Sequence, residues 1–238
     1  MEPYELRTGT GVPMTSTDAA ERVSAFLRRV YGWMAIGLAI TALTAAVVAG
    51  SPTALHAILG NRILFLGVIA AQLGLVFYLS GRAATLAPGT AAVLFAGYSA
   101  LTGVTLAVVL LAYTGESVAT TFVVTASMFA ALAAFGTMTS RDLAGVGQFF
   151  FMGLVGLVLA SLLGMFWHND ALQFLISVVG VLVFTGLTAW DAQRLRRMAL
   201  AVPAGQAGSM AIAGALSLYL NFINLFLFML RFTGSRRN

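Results

Sequence analysis

The sequence predicts an all-α polytopic membrane protein that folds as a bundle of seven transmembrane helices. Of its 238 residues, 60% are apolar and only 9% are charged, whereas about a quarter of the residues in a soluble domain are charged. The mean hydropathy of +0.94 points the same way. So few charged groups cannot cover a globule in water, and lipid must therefore be the main solvent of this chain.

Seven segments are long and apolar enough to cross a membrane, which takes about 20 helical residues for a hydrocarbon core of roughly 30 Å. They comprise residues 30–49, 63–80, 90–112, 118–138, 143–167, 172–190 and 210–232. All five prolines lie outside these segments, as expected for unbroken helices. The chain therefore divides into a polar N-terminal tail (1–29), a seven-helix transmembrane domain (30–232) and a short basic C-terminal tail (233–238).

The polar tail lacks the basic start, short apolar stretch and small-residue cleavage site of a removed signal peptide, so the first segment is expected to stay in the membrane. Within the tail, residues 1–18 are predicted to be disordered and residues 17–29 to form a short amphipathic interfacial helix. Only residues 139–142 separate the fourth and fifth segments, which predicts a tight antiparallel hairpin. Small residues at every fourth position of the first segment predict close helix packing. They are Gly37, Thr41, Ala45 and Ala49.

The arginines predict the orientation of the bundle, because basic loops stay on the cytoplasmic side. Nine of the thirteen fall on the side of the N-terminal tail, which predicts a cytoplasmic N-terminus; they are Arg7, Arg22, Arg28, Arg29, Arg82, Arg141, Arg194, Arg196 and Arg197. The four on the other side are Arg62, Arg231, Arg236 and Arg237. The last three conflict with a seven-helix chain that ends outside, so an alternative has the final segment entering and leaving on the same side.

Missing residue types exclude several functions. Without lysine the chain cannot form the Schiff base of a retinal-binding pump or sensor. Without cysteine it has no disulfide, thiolate nucleophile or sulfur metal ligand. His56 and His168 fall in connections and are expected to be solvated or interfacial, while Gln72 is expected to bond between helices. The basic pI reflects arginines beside lipid headgroups, so nucleic-acid binding is not predicted.

Asp191 is the acidic residue predicted to lie nearest the membrane interior, at the end of the sixth segment. An ionisable group at that depth is costly unless it meets water, a partner or a proton, which makes it a functional candidate. Thr188, three residues earlier, could share its helix face and donate a hydrogen bond. In the structural alternative, Asp191 lies at the interface and pairs with Arg194 or Arg197 one turn further on.

Ser217, Asn221 and Asn224 form one polar stripe in the otherwise apolar last segment, at helical positions i, i+4 and i+7. The stripe is either interhelical glue, worth roughly 1 kcal/mol per hydrogen bond, or a polar pathway or ion site at the centre of the bundle. Arg82, at the end of the second segment, lies on the same predicted side as Asp191. It either pairs with Asp191 across the bundle or is a simple cytoplasmic flank.

The last segment reads LSLYLNFINLF at 216–226 and continues to LRF at 230–232. This stretch resembles the C-terminal signature of the Bax inhibitor-1 family, also called the YccA-like or transmembrane Bax inhibitor motif family. Residues 30–34, 101–106 and 190–193 resemble that family in the same order, and the resemblance covers nearly the whole chain after residue 25. It implies a seven-helix fold whose final helix is surrounded by the other six. It also implies a pH-sensitive calcium leak, with cytoprotective, stress-regulatory or protease-modulating roles among members.

The site implied by the resemblance is a pair of aspartates on the sixth and seventh helices that share a proton near an arginine of the second helix. Asp191 matches the first aspartate and Arg82 matches the arginine, but Asn221 stands in place of the second aspartate. Two carboxylates in contact force one to hold a proton near neutral pH, whereas asparagine cannot titrate. Asparagine nearly has the shape of a protonated aspartate, so we expect the hydrogen bond between the sixth and seventh helices to be kept. We also expect a blunted pH response and weak calcium binding at Asp191.

The predicted function is an integral membrane calcium-leak channel, with a bacterial-type inner membrane as its expected location. The expected gate or pH sensor comprises Asp191, Asn221 and Arg82, and the supporting polar residues are Ser217, Asn224 and Thr188. The alternative is a non-conducting regulator that binds a membrane protease or a stress or cell-death component. An enzyme is not predicted, because the second aspartate of intramembrane aspartyl proteases and the intramembrane histidine of rhomboid-type proteases are missing. Calcium is expected as permeant ion or weak ligand, and no cofactor is expected.

Overall fold

The computed structural model describes residues 15–166 and 169–237, which form eight α-helices and one 3-10 turn. The helices are α1 (Ser16–Ala49), α2 (Pro52–Gly60), α3 (Arg62–Arg82), α4 (Pro88–Leu110), α5 (Gly115–Met138), α6 (Ala144–Phe166), α7 (Asp170–Ala201) and α8 (Ala207–Thr233), with the 3-10 turn (Ala204–Gln206) before α8. All except α2 are long and apolar enough to cross a membrane, which confirms the predicted seven-helix bundle. The predicted disorder of residues 1–14 and the expected exposure of His168 concern positions outside the described residues.

The first transmembrane helix begins well before the predicted span, at Ser16. Thr15 caps it: the Thr15 hydroxyl accepts a hydrogen bond from the Asp18 N–H, and the Asp18 carboxylate accepts one from the Thr15 N–H. This reciprocal capping box satisfies backbone donors that a helix start otherwise leaves unpaired. Residues 15–18 are therefore ordered, contrary to the prediction, and residues 17–29 are the first part of α1 rather than a separate interfacial helix.

A short helix, α2, joins α1 to α3 and was not predicted. Its nine residues rise only about 14 Å, too little to cross a bilayer. Pro52 lies in its first turn, where the missing N–H interrupts no intrahelical bond, and Pro88 occupies the same position in α4. His56 lies on the exposed side of α2, as expected for a solvated residue. The three prolines that the structure describes, Pro52, Pro88 and Pro203, thus lie at helix starts or in a connection and interrupt no helix.

The last helix, α8, is at the centre of the bundle and is the most buried of the seven spans. It packs against α1, α3, α4, α5 and α7. The sixth expected neighbour, α6, instead packs on the outer side of α7 and makes no extensive contact with α8. The resemblance implied a final helix enclosed by all six others, and this expectation is correct for five of them. A space between α6 and α8 remains, and it becomes part of the site described below.

Glycines allow the closest helix contacts that position the site. A Cβ on Gly103 of α4 would lie 2.6 Å from the Thr41 carbonyl oxygen of α1, so only glycine permits this approach. The predicted small-residue stripe of α1 is indeed buried at Gly37, Thr41 and Ala45. Gly136 of α5 similarly lies directly against the backbone of α7, so α7 is held close to the bundle just before Asp191.

Hydrogen bonds at the two ends of the bundle establish how the chain crosses it. At one end, Arg22 of α1 donates to the carbonyl of Val202, which follows α7. At the other end, the segment after α8 pairs with the connection between α4 and α5: the Thr114 N–H donates to the Ser235 carbonyl at 3.1 Å. Because α8 is unbroken between these ends, the alternative of a final segment that enters and leaves on the same side is wrong.

Candidate functional site at Asp191

Asp191 lies on α7 at the level of the middle of α8, and its side chain is only 6% exposed. It faces Asn221, which is close to the midpoint of the 27-residue α8. The apolar face of α7 before Asp191 is buried at Phe184 and Leu187, so packing of that face turns the carboxylate towards the central helix. The sequence prediction of an intramembrane acid is therefore matched by a buried position within the bundle.

Two neutral donors bind one oxygen of the Asp191 carboxylate. The Ser217 hydroxyl and the Asn221 amide nitrogen each donate to Oδ2, both at 2.8 Å. Both donors come from α8, on the polar stripe that the sequence indicated. At these two positions the stripe therefore joins α7 and α8 by interhelical hydrogen bonds. These bonds also offset the free-energy cost of burying a carboxylate.

The other carboxylate oxygen depends on Arg194. Its Nη2 lies 3.0 Å from Asp191 Oδ1 and 3.2 Å from the Ser217 hydroxyl oxygen, so the arginine spans the contact between α7 and α8. Its guanidinium also lies over the Trp190 ring, 5.1 Å from the centroid. Among the described residues, Oδ1 has no other polar partner. The Arg194 side chain is 42% exposed, so it closes the carboxylate off from the side on which α7 ends.

The arrangement is complementary to an ionised carboxylate. Ser217 and Asn221 donate hydrogen bonds to it, and Arg194 supplies a cation. The amide orientation of Asn221 follows from the same logic, since only its nitrogen can donate to the carboxylate. Asn221 thus supplies the donor that a protonated aspartate would supply, as the sequence predicted, without the ability to release that proton.

Arg82 is not part of this cluster. It ends α3, its side chain is exposed, and it forms no ion pair with Asp191. The reason is the position of α3, which packs on α4 and touches α8 but does not pack on α7. The expected pairing of Arg82 with Asp191 is therefore wrong, and the cation is instead Arg194, the local partner considered in the structural alternative. The i, i+3 spacing of Asp191 and Arg194 in the sequence was enough to predict this ion pair.

The two remaining predicted residues lie near the cluster without binding Asp191. Thr188 is fully buried and donates to the Phe184 carbonyl of its own helix at 2.7 Å. The amide nitrogen of Asn224 similarly donates to the Leu220 carbonyl at 2.8 Å. Thr188 therefore does not donate a hydrogen bond to the carboxylate.

Gln72 forms a hydrogen bond between helices, as expected. Its amide nitrogen donates to the Thr105 hydroxyl of α4 at 3.1 Å.

A cavity of about 1280 Å³ lies between α6, α7 and α8 and opens towards the end of the bundle where α8 finishes. We call it the outer crevice. Its polar lining residues include Gln173 and Ser177 of α7 and Asn224 of α8. Asn224 is one helical turn from Asn221, which binds Asp191. Asn224 therefore lines the outer crevice one turn beyond the Asp191 cluster, whose own residues do not line it.

Gln193 was missed by the sequence reasoning, although it follows Asp191 by two residues and is nearly as buried. Its amide nitrogen donates to the Arg141 carbonyl at 2.7 Å, and its amide oxygen accepts from the Leu143 N–H at 2.9 Å. It thereby holds the short connection between α5 and α6 against α7. A glutamine in an apolar helix, four residues before an arginine, was the sequence signal that could have identified it. The Arg197 Nη2 donates to the same amide oxygen of Gln193.

Asp142 in the same connection pairs with Arg197 at 2.6 Å. The hydrogen bond from Arg197, followed by one from the Ala144 N–H, lowers the pKa of the Asp142 carboxyl below its ordinary 3.8. Because both partners are exposed, this ion pair contributes little stability. It does add a contact that keeps the α5–α6 hairpin against α7 at neutral pH.

The cluster does not resemble a tight metal site. Calcium usually takes six to eight oxygen ligands, several of them carboxylates. Within residues 15–166 and 169–237, no three acidic or histidine side chains come close enough to hold a metal ion. One carboxylate, already neutralised by Arg194, suits at most a weak and transient cation contact.

A family model described as "Inhibitor of apoptosis-promoting Bax1" matches residues 23–238 of the chain. The chain belongs to the Bax inhibitor-1 family. The inner membrane protein YbhL of Escherichia coli (strain K12) is 45% identical over 89% of the chain and 92% of its own length. An uncharacterized protein of Borreliella burgdorferi is 43% identical, over 90% and 93%. An uncharacterized membrane protein of Streptococcus pyogenes serotype M6 is 33% identical, over 92% and 96%. The chain thus covers more than nine-tenths of the length of these bacterial relatives.

Proposed function

We propose that this Bax inhibitor-1 family protein is a calcium-leak channel of the bacterial inner membrane, controlled at Asp191 and Arg194. The observation that carries the proposal is a buried carboxylate near the middle of the central helix, with Asn224, one helical turn beyond its partner Asn221, lining a large outer cavity. Ionisable groups in the membrane interior are expensive, and they mark functional sites such as ion pathways by default.

In the resting arrangement the path is closed. A cation that enters the outer crevice can approach Asn224, but Asn221, Ser217 and Arg194 already occupy the carboxylate. Passage requires Asp191 to exchange these partners for the ion and requires Arg194 to move away, since its charge repels a divalent cation. A single carboxylate binds calcium weakly, which suits a slow leak rather than storage or tight sensing.

Asn221 sets the pH behaviour that we propose for this chain. Two carboxylates 2.8 Å apart would share a proton, and the pair would open as that proton leaves. With Asn221, the donor to Asp191 stays in place at every pH. The leak is therefore expected to depend only weakly on pH.

Calcium flux into proteoliposomes, measured from acidic to weakly basic pH, tests the proposal. The Asn221→Asp variant is expected to gain a steep pH dependence that the natural chain lacks. Asn61→Asp is the matched control, because it makes the same amide-to-carboxylate change at the exposed N-cap of α3, outside the outer crevice and away from Asp191. Identical pH profiles for the natural chain and Asn221→Asp would contradict the gating role of this position. A complete absence of flux from folded protein would instead favour a non-conducting regulator of a membrane partner.

A further inference from the structure

The outer crevice has the composition of a lipid site as well as of an ion entrance. Apolar side chains of α6 and α8 face each other across it, among them Leu154, Val158 and Leu227. The two helices do not pack against one another there, and Val158 is 50% exposed. The crevice therefore opens sideways towards the surrounding bilayer. Its volume of about 1280 Å³ exceeds that of typical small-molecule sites, roughly 300–1,000 Å³.

Three charged side chains line the same crevice at its outer end. Arg231 lies in the last turn of α8, Arg236 follows α8, and Asp170 lies in the first turn of α7. Within the described residues, neither arginine forms an ion pair, and Asp170 forms none. The Arg231 guanidinium lies over the Phe228 ring, 5.7 Å from its centroid, which holds it above the apolar wall.

These arginines are unusual for their side of the membrane. Basic residues favour the cytoplasmic side, yet Arg231 and Arg236 lie at the end of the bundle opposite to α7's arginines. A local partner that compensates them is therefore expected. A phosphate at the level of the headgroups is a strong acceptor for two guanidinium groups.

We propose that the outer crevice binds one glycerophospholipid with an amine headgroup. Its phosphate lies at Arg231 and Arg236, its amine lies near Asp170, and an acyl chain runs between α6 and α8. From Arg231 to Asn224 the crevice extends about 10 Å along α8, from the seven residues between them at roughly 1.5 Å each, so the chain lies within the outer leaflet. The lipid would occupy the same crevice that we propose as the ion entrance, but this proposal does not rest on conduction, and its test needs no flux measurement.

Native mass spectrometry of the full-length protein in detergent tests the proposal with three added lipids. Phosphatidylethanolamine is expected to bind best, because its ammonium can donate to Asp170. Phosphatidylcholine lacks those donors and phosphatidylglycerol lacks the amine. Replacing both arginines, by Arg231→Gln with Arg236→Gln, is expected to weaken phosphatidylethanolamine binding roughly 25-fold, since each arginine near a lipid phosphate contributes a factor of about five.

Three further variants separate this site from non-specific lipid adhesion. Asp170→Asn is expected to reduce the preference for phosphatidylethanolamine over phosphatidylglycerol. Val158→Trp fills the crevice from its lipid-facing side and is expected to prevent binding with both arginines present. Arg62→Gln is the matched control, because Arg62 begins α3 at the same end of the bundle without lining the crevice.

Equal lipid binding by the natural chain, the double arginine variant and Val158→Trp would overturn the proposal. So would a dimer that dissociates in these variants, since the occupant would then be a second copy of the chain. Unchanged helix content in circular dichroism verifies that each variant is folded. Loss of binding in the arginine variant and Val158→Trp, but not in Arg62→Gln, supports the lipid site.

Discussion

At the scale of single residues, Arg194 has the largest influence on what Asp191 can bind. It is the sole polar partner of Asp191 Oδ1 among the described residues, and it also contacts Ser217. Asn221 and Ser217 are neutral and can reorient, whereas the guanidinium keeps its charge at every physiological pH. In the proposed channel the barrier to a cation is therefore electrostatic, and it resides in Arg194, whose side chain is 42% exposed.

We predict that Arg194→Gln increases calcium flux, because glutamine keeps hydrogen-bonding capacity but removes the repelling charge. Proteoliposome flux at neutral pH measures the effect, and an increase of severalfold is expected. Because Asp191 is buried, removing its cation leaves Oδ1 without a partner and also destabilises the fold, so circular dichroism must show that the variant is folded. Arg196→Gln is the matched control: Arg196 is an exposed arginine of the same helix that binds the Thr137 carbonyl and not Asp191. Equal flux for the natural chain and Arg194→Gln would remove Arg194 from the gate.

At the scale of elements, the connection between α5 and α6 is attached to α7 directly below the site. Gln193 binds backbone groups on both sides of Asp142, and Arg197 binds both Gln193 and Asp142. Two of these contacts use backbone groups of the connection, the Arg141 carbonyl and the Leu143 N–H. A shift of α7 that releases Asp191 must therefore move this hairpin or break these bonds.

We predict that Gln193→Leu loosens the α5–α6 connection. The Leu143 N–H would lose its acceptor, which corresponds to about 1 kcal/mol and a factor of about five in exchange rate. Hydrogen–deuterium exchange of peptides covering residues 139–145 measures this change. Gln72→Leu removes one bond between α3 and α4 instead and should leave these peptides unaffected. Slow exchange at Leu143 in Gln193→Leu would mean that the neighbouring packing alone holds the connection.

The Asp142–Arg197 pair should persist throughout the physiological pH range. A carboxyl whose folded pKa is lowered contributes stability that is fully present above its ordinary pKa, and this contribution is lost as the pH falls through the folded value. For Asp142 the ordinary value is 3.8, so the loss should occur below about pH 4. Carbon-13 NMR of the Asp142 side-chain carboxyl measures the titration, and Arg197→Gln should return its midpoint towards 3.8. A midpoint above pH 5 would contradict the ion pair.

At the scale of the whole molecule, the sequence was sufficient to predict the seven transmembrane helices but not which of them pack against one another. The seven spans follow from apolar length, and the Asp191–Asn221–Ser217 contact follows from the polar stripe and the family resemblance. The position of α6 outside the central ring, and hence the outer crevice, depends on how helices pack against α7. Hydropathy reports the depth of a residue but not the helix it faces, and for this reason Arg82 was paired with Asp191 while Gln193 was overlooked.

The two ends of the bundle are chemically distinct, which makes the orientation of the molecule testable. The connection between α5 and α6 lies at the end that carries most arginines, and the Ser235 backbone pairs with the α4–α5 connection at the opposite end. The positive-inside rule then places Ser140 in the cytoplasm and Ser235 outside. The chain has no cysteine, so single introduced cysteines can be labelled without background.

We predict that a membrane-impermeant maleimide labels Ser235→Cys in intact spheroplasts, but labels Ser140→Cys only after the membrane is opened. Both serines are exposed in the structure, so a difference in labelling reports sidedness rather than burial. The outer crevice would then face the periplasm, and calcium would leak inwards past Asn224 and Asp191 towards Arg194. The reverse labelling pattern would invert the bundle, and with it the direction of entry, without altering the Asp191 cluster itself.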